Sequence, residues 1–213
     1  MKNQIILIAG PWSSGSSALT GFISKLGIPA PGPYVYCNDP RTPLTYELES
    51  FREVIIQSAP DEALGLIQKP DVVIEKLSYF RDIVLPNILE ADGISTNSPI
   101  LLKHPSSAFM LDEFFQVFNT AKMIVSIRPL EDIEATRLRR KWFNTYGSLG
   151  AQAIYGRIFT HIIKADTPCH LVKYNELLSQ PLSLVDPLSK FIGINPSKQQ
   201  IQQAYDYVQF RNK

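Results

Sequence analysis

A glycine- and serine-rich segment near the start of the chain has the spacing of an anion-binding loop. It runs from Gly10 to Ser17 with Gly15 inside it, and Ser16 stands where a Walker A motif carries lysine. Backbone N–H groups of such a loop, at the N-terminus of a helix, bind phosphate without any side-chain charge. The segment predicts a site for a phosphorylated ligand. The alternative is a serine-rich turn that only caps the helix.

Positively charged residues follow three later apolar runs. They are Lys103 with the adjacent His104, then Arg128, then Lys173. None of these runs ends in the aspartate that would hold Mg²⁺ in a P-loop NTPase. The carboxyl ends of parallel strands meet at one edge of a sheet, so we expect these cations to converge beside the loop. The pattern predicts a highly anionic ligand bound without a metal, although each cation alone could be an ordinary surface charge.

Short apolar runs alternate with helical patterns along the whole chain. Strands are predicted at 4–9, 99–103, 121–127 and 169–174. Helices are predicted at 16–27, 44–58, 71–91, 107–118, 130–165 with breaks, 183–192 and 197–208. A proline-rich irregular loop covers 28–43, and loops of that length are often lids or substrate walls. The alternation predicts a three-layer α/β/α fold with a central parallel sheet and a P-loop-like nucleotide site.

Length, net charge and cysteine content indicate the number of domains and the general class of protein. The chain has 213 residues, 45% of them hydrophobic, and a net charge of +1, which predicts one domain over 1–213 and no general attraction to nucleic acid. Cys37 and Cys169 form neither a disulfide framework nor a zinc motif. No run approaches the roughly 20 apolar residues of a membrane helix, so we expect a soluble, cytoplasmic protein.

The order of these motifs along the chain resembles that of the sulfotransferase family. The family's phosphosulfate loop typically reads Pro-Arg/Lys-Ser-Gly-Thr-Ser/Thr, and here Pro11-Trp-Ser-Ser-Gly-Ser-Ser17 occupies that position. The family also places an arginine at the end of a later strand with a serine eight residues on, where this chain has Arg128 and Thr136. The segment 172–181 leading to 190–193 looks like the family's Arg-Tyr-Glu-Asp-Leu…Pro…Phe-Leu-Gly stretch.

The resemblance implies a sulfotransferase that uses 3′-phosphoadenosine-5′-phosphosulfate (PAPS) as co-substrate, with no metal. It assigns Arg128 and Thr136 to the 3′-phosphate, and a glycine at position 15 is expected because a Cβ there would intrude where phosphate sits. The residues assigned to the 5′-phosphosulfate are Ser14, Gly15, Ser16 and Ser17, with Ser13 in the same loop. Ser13 departs from the family, because it replaces the basic residue. Lys103 is the candidate to supply that charge instead.

Two residues compete for the role of general base. His104 follows a strand and carries an imidazole, which titrates near working pH. Glu47 is expected at the start of a helix, where Asn38-Asp-Pro40 and Thr45-Tyr-Glu47 loosely resemble an element of bacterial family members. Either residue could instead be structural, and the sequence leaves the choice open.

Three functions remain compatible with these patterns. The first is a PAPS-dependent sulfotransferase acting on a hydroxyl or amine of a small-molecule or glycan acceptor. The second is a P-loop-like nucleotide-binding protein with little or no transferase activity, which the missing basic residue at Ser13 favours. The third is a small-molecule kinase, which would require Mg²⁺-ATP.

Overall fold

A four-stranded parallel sheet forms the centre of the protein. The computed structural model describes residues 4–211, with the side chain of Arg211 excepted. The strands are β1 (Ile5–Ala9), β2 (Ile100–Lys103), β3 (Lys122–Ile127) and β4 (Cys169–Lys173). They lie in the order β2-β1-β3-β4, and every neighbouring pair is parallel. The sequence-predicted strands are confirmed, each to within one residue at either end.

Helices fill the connections between strands. Their bounds are α1 Ser16–Lys25, α2 Glu49–Ile56, α3 Pro70–Tyr79, α4 Leu85–Ala91, α5 Leu111–Val117, α6 Leu130–Arg140, α7 Ser148–Lys164, α8 Tyr174–Ser179, α9 Val185–Ile192 and α10 Lys198–Arg211. A π-helical segment, Phe80–Val84, joins α3 to α4, so the predicted helix over 71–91 is one continuous rod. Helix α8 was not predicted, because the apolar run was read as strand through Tyr174. No helix within residues 4–211 has the length and apolar character needed to cross a bilayer.

The sheet is covered on both faces, which confirms the three-layer α/β/α arrangement. Alternate side chains of β1 enter two separate cores, as the two-residue period of a strand requires. Leu7 packs into a core that contains Phe51 of α2, whereas Ile8 packs into another that contains Phe22 of α1. All five residues of β1 are at most 1% exposed.

The strand order places a crevice at one point of the sheet edge. The chain leaves β1 to form β2 on one side, and it leaves β3 to form β4 on the other. The connections after β1 and β3 therefore diverge, and in open α/β sheets ligands bind in the crevice at such a point. The segments that line it are the loop after Ala9 and the residues after Ile127.

The long loop extends further than the sequence predicted. A helix was expected from residue 44, but α2 begins at Glu49. The segment just before α2 instead forms backbone hydrogen bonds with residues 33–35 of the long loop. The Val35 N–H donates to the Glu47 carbonyl at 2.8 Å, and the Glu49 N–H donates to the Pro33 carbonyl at 3.0 Å. Because these backbone groups are already bonded, Glu47 lies ahead of the helix in an extended segment. The expectation that Glu47 begins a helix was wrong.

Candidate functional site

The loop from Gly10 to Ser17 connects β1 to the first turn of α1. Ser13 and Gly15 both have positive φ, 64° and 89°, which gives the loop its tight curl. No side chain caps the helix at Gly15, so its first N–H groups remain available to a ligand. The hydroxyl of Ser126, at the end of β3, donates to the Ser14 carbonyl at 2.8 Å and holds the loop against the sheet.

Tyr174, the first residue of α8, packs against the other side of this loop. A Cβ added at Gly15 would collide with the Tyr174 ring. The expected reason for glycine at this position, room for phosphate, was therefore incomplete, because the nearest obstacle is an aromatic side chain of the protein. The same ring lies 4.8 Å from the Arg128 guanidinium carbon in a cation–π contact.

Arg128 joins the loop to α6. Its Nη1 donates to the Ser13 carbonyl at 2.8 Å and to the Thr136 hydroxyl at 3.2 Å. Thr136 in turn donates to the Asp132 carbonyl at 2.9 Å, which fixes the direction of its hydroxyl. The Arg128 Nε is buried and makes no hydrogen bond to any part of the chain that the structure describes. Arg128 and Thr136, which the resemblance to the sulfotransferase family paired, are thus in direct contact.

A cavity of about 480 Å³ opens beside these residues. This volume lies in the usual range for a small-molecule site. The lining residues are Ser13, Gly15, Ser16, Ser17, Ala18, Arg41, Thr42, Arg128, Arg139, Arg140, Tyr174 and Leu178. Five of these residues had been predicted from the sequence as site residues. Two other predicted residues do not line the cavity: the Ser14 side chain is fully buried, and Thr136 is connected to the cavity only through its hydrogen bond with Arg128. The sequence did not identify Arg41 or Tyr174. It predicted the basic run that contains Arg139 and Arg140 to be a solvated helix face, with assistance to an anionic acceptor as the alternative.

The three cations at strand ends do not share one environment, contrary to expectation. Arg128 lines the cavity, but Lys103 is 3% exposed and turned toward Glu47. Lys173 is mostly exposed and pairs with Glu176 at 3.5 Å. The reason is the strand order: Lys103 and Lys173 end the edge strands β2 and β4, whereas Arg128 follows the central strand β3, which borders the crevice.

Glu47, Lys103 and His104 form a second polar cluster, which does not line the cavity. The Lys103 Nζ lies 2.5 Å from the Glu47 Oε1, and the His104 Nε2 lies 3.9 Å from the Glu47 Oε2. Asp61, which the sequence did not reveal, lies 4.0 Å from the same nitrogen and accepts a hydrogen bond from Ser106 at 2.7 Å. The backbone register places Lys103 opposite Ile8 of β1, so the cluster lies beside the start of the loop.

The electrostatics of this cluster favour an ionised carboxylate and a neutral imidazole. Burial is the largest single influence and would raise the pKa of Glu47. Electrostatic interactions with Lys103, His104 and Arg52 and the hydrogen bond from Lys103 together outweigh burial and hold that pKa below its ordinary value. Burial lowers the pKa of His104, despite the opposing charges of Glu47 and Asp61. The cluster therefore pairs one carboxylate with one ammonium at neutral pH.

The hydrogen bonding of His104 bears on its candidacy as a base. Its Nδ1 accepts from the Ser106 backbone N–H at 3.2 Å. A neutral imidazole has one lone pair, so its proton must lie on Nε2. This nitrogen is the one that faces Glu47 and Asp61. The Nε2–H then faces both carboxylates but is too far from either for a hydrogen bond, and the lone pair on Nδ1 is already occupied by the Ser106 N–H.

Asp39 organises the cavity wall that the sequence did not predict. It accepts hydrogen bonds from the Arg139 Nη2 at 3.1 Å and the Arg140 Nε at 2.5 Å. Burial would raise the pKa of Asp39, but these bonds and the backbone N–H of Arg41 lower it to about 2. Arg140 also donates to the Thr42 hydroxyl at 2.7 Å. No sequence signal connects residue 39 to a helix a hundred residues later, and the Arg-Leu-Arg-Arg run reads as an ordinary exposed helix face.

Comparison with known proteins supports the fold. No protein-family profile matches the chain, and no curated protein shows significant similarity to it. Among solved structures, sulfotransferase STF1 from Mycobacterium tuberculosis is similar with a TM-score of 0.66 and 18% identity, over 100% of this chain and 76% of that one.

Two further solved structures of sulfotransferases are also similar to this chain. Sulfotransferase STF9 from Mycobacterium avium has a TM-score of 0.64 and 10% identity, over 100% of this chain and 69% of that one. The sulfotransferase domain of the Synechococcus PCC 7002 olefin synthase has a TM-score of 0.57 and 16% identity, over 94% and 77%. Likeness at such low identity establishes architecture, and on that basis the chain adopts the sulfotransferase fold.

Proposed function

We propose that this protein is a sulfotransferase that moves a sulfuryl group from PAPS to a hydroxyl or amine of a small-molecule or glycan acceptor. The observation that carries the proposal is the position of Arg128. Its guanidinium joins the Ser13 carbonyl to the Thr136 hydroxyl at the wall of an arginine-lined cavity. A guanidinium beside a hydroxyl matches the geometry of a phosphate group.

The residues of the site fit a nucleotide that carries phosphate at two ends. Within residues 4–211, the hydroxyls of Ser13 and Ser14 and the Nε of Arg128 are buried and make no hydrogen bond. Arg128 Nε has Asp132 as an ion-pair partner at 3.9 Å, which is too far for a hydrogen bond. Buried donors that make no hydrogen bond are costly, and an anionic ligand would satisfy those that it reaches. We assign Arg128 and Thr136 to the 3′-phosphate. The 5′ end is assigned to the loop and the start of α1, through Ser14, Gly15, Ser16 and Ser17.

The chemical step of the proposed transfer involves Glu47 and Lys103. PAPS supplies a sulfuryl group whose bond to the phosphate oxygen breaks as the acceptor oxygen forms a new bond to sulfur. We assign to Glu47 the proton that the acceptor hydroxyl or amine loses, because Glu47 is an ionised carboxylate in the cluster beside the start of the loop. Protonation of Glu47 weakens its ion pair with Lys103, which frees the ammonium to stabilise the charge on the leaving phosphate. Lys103 thereby takes the role of the basic residue that is missing at Ser13.

Calorimetry with two nucleotides tests the ligand class. We expect 3′-phosphoadenosine-5′-phosphate (PAP) to bind the wild-type protein at least 10-fold more tightly than adenosine 5′-monophosphate, because only PAP engages Arg128 and Thr136. Equal affinities would contradict the assignment of a 3′-phosphate site.

Paired variants test which residue is the base. Glu47→Gln should lower kcat by 100-fold or more while the dissociation constant of PAP stays unchanged. His104→Asn keeps an acceptor for the Ser106 N–H and removes Nε2, so it should lower kcat much less. A folded His104→Asn protein that loses as much activity as Glu47→Gln would show that His104 is the base.

A second candidate function is nucleotide binding without efficient transfer. It is favoured by Ser13, which stands where the resemblance expects arginine or lysine. The two functions separate in a turnover assay with PAPS and a panel of hydroxylated acceptors. Tight PAP binding without turnover of any acceptor would favour the binding protein.

A further inference from the structure

The cavity contains more positive charge than the nucleotide assignment uses. Besides Arg128, its lining includes Arg41, Arg139 and Arg140. Arg140 is four residues beyond Thr136 on α6, so it lies on the same helix face about 6 Å further along the axis. Arg41 comes from the long loop rather than from the sheet edge. These three arginines therefore form a group of their own beside the 3′-phosphate position.

The charge of this group is only partly balanced. Asp39 is the carboxylate that the structure pairs with Arg139 and Arg140. One carboxylate against three guanidiniums leaves two positive charges in excess. Arg140 is held rigidly, because it bonds Asp39 and Thr42 and its guanidinium carbon lies 4.4 Å from the Trp142 ring. An ordered cluster with excess charge is suited to an oxyanion.

Asp39 also presents Arg41 to the cavity. The Arg41 N–H donates to the Asp39 Oδ1 at 3.0 Å, and the Thr42 N–H donates to the Asp39 carbonyl at 2.7 Å, which closes a tight turn. The Arg41 side chain is exposed and has no hydrogen bond or ion pair with any of residues 4–211. The turn thus fixes the Arg41 backbone while its guanidinium remains available.

We propose that Arg41, Arg139 and Arg140 form an oxyanion subsite for the acceptor, so that the preferred acceptors are alcohols or amines that already carry a phosphate, sulfate or carboxylate. The proposal rests on the proposed function, since it takes Arg128, Thr136 and the loop after β1 to hold PAPS beside this group. The loop that carries Arg41 leads to Glu47 through the segment paired with residues 33–35. Substrate recognition and proton removal would therefore be carried by one loop.

The cleanest test uses Arg41, because its side chain supports no other residue. Inorganic sulfate is titrated into PAP-saturated protein by calorimetry, with the ionic strength held constant by chloride. We expect the wild-type protein to bind sulfate, and Arg41→Ala to weaken sulfate binding at least 10-fold with PAP affinity unchanged. The matched control is Arg157→Ala, which removes the same charge from an exposed position on α7 that lines a different cavity. It should bind sulfate like wild type.

Three results would overturn the proposal. They are an absence of sulfate binding to the PAP-saturated wild-type protein, equal weakening in the Arg41 and Arg157 variants, and a loss of PAP affinity in Arg41→Ala. The last result would assign the arginines to the nucleotide. If PAP fails to bind the wild-type protein, the proposed function fails instead. Sulfate titration without nucleotide then tests the arginine subsite alone: loss of one sulfate site in Arg41→Ala upholds it, and an unchanged number of sites contradicts it.

Discussion

Arg128 donates to the backbone carbonyl of Ser13 at 2.8 Å, so the end of β3 is tied directly to the loop after β1. These two strands lie side by side at the point where their connections diverge. The contact gives Arg128 two possible influences on a ligand: one through its own guanidinium and one through the shape of the loop. Variants can distinguish them.

Arg128→Ala should weaken PAP binding by about 2 kcal/mol or more, roughly 30-fold, because a charge-assisted contact to the 3′-phosphate is lost. Adenosine 5′-monophosphate should bind almost as before. Calorimetry with both nucleotides measures the difference, and Lys173→Ala is the control, since Lys173 is an exposed cation at the end of the next strand. Equal loss for both nucleotides would mean that Arg128 acts only through the Ser13 loop.

Breaking the ion pair of Lys103 and Glu47 should be costly. Lys103→Met leaves a buried carboxylate without its ammonium, and we expect the free energy of unfolding to fall by about 3 kcal/mol. The double variant Lys103→Met with Glu47→Gln should recover most of this loss, because neither charge of the pair is then left buried without its partner. Urea denaturation measures both. Lys173→Met breaks an exposed pair and should change stability by less than about 1 kcal/mol.

The same pair makes stability depend on pH. The pKa of Glu47 is lowered in the folded protein, so its contribution is fully present above the ordinary carboxylate pKa and disappears as pH falls through the folded value. The stability gap between wild type and Lys103→Met should therefore narrow under acid conditions. A gap that stays constant down to the acid unfolding transition would contradict this account.

Gly15 and Gly193 offer a matched pair for testing the contact with Tyr174. Both have φ near 90°, but a Cβ at Gly193 meets nothing within 4 Å, whereas one at Gly15 meets the Tyr174 ring. Gly193→Ala should cost about 1 kcal/mol from backbone strain alone. Gly15→Ala should lower the free energy of unfolding by clearly more than Gly193→Ala does, as measured by thermal or urea denaturation. Adding Tyr174→Ala should remove the difference between the two glycine variants. Equal losses of stability at the two glycines would show that the Tyr174 ring can move aside without a measurable cost in free energy.

Asp39 should contribute to stability in a defined pH window. Its pKa of about 2 lies below the ordinary value of 3.8, which corresponds to about 2 kcal/mol of stability. This contribution is present above pH 3.8 and is lost as the pH falls toward 2. Asp39→Asn should accordingly destabilise the protein at neutral pH and much less near pH 2.

Hydrogen exchange provides a local readout of the same variant. Amides at 39–42 should exchange faster in Asp39→Asn, because the turn and its two arginine contacts are weakened. Asp82→Asn is the control, since Asp82 pairs with Arg81 on an exposed surface. It should leave both exchange and stability nearly unchanged.

The α/β class, the four strands and the position of the loop could all be predicted from the sequence. These features are local: an apolar run, a change of period or a glycine decides them within about ten residues. The pairing of Arg128 with Thr136 came from the resemblance to the sulfotransferase family, which places an arginine and a serine eight residues apart at the end of a later strand and in the next helix. The choice of fold family followed from the order of such local motifs.

Tertiary structure alone decided how the cavity is lined. Asp39 meets Arg139 and Arg140 only because the long loop folds across α6, and no periodicity encodes a contact over a hundred residues. Lys103 faces Glu47 rather than the crevice because the sheet order places it at the end of the edge strand β2. Side-chain direction and long-range pairing depend on how the elements pack together, which local patterns in the chain do not specify.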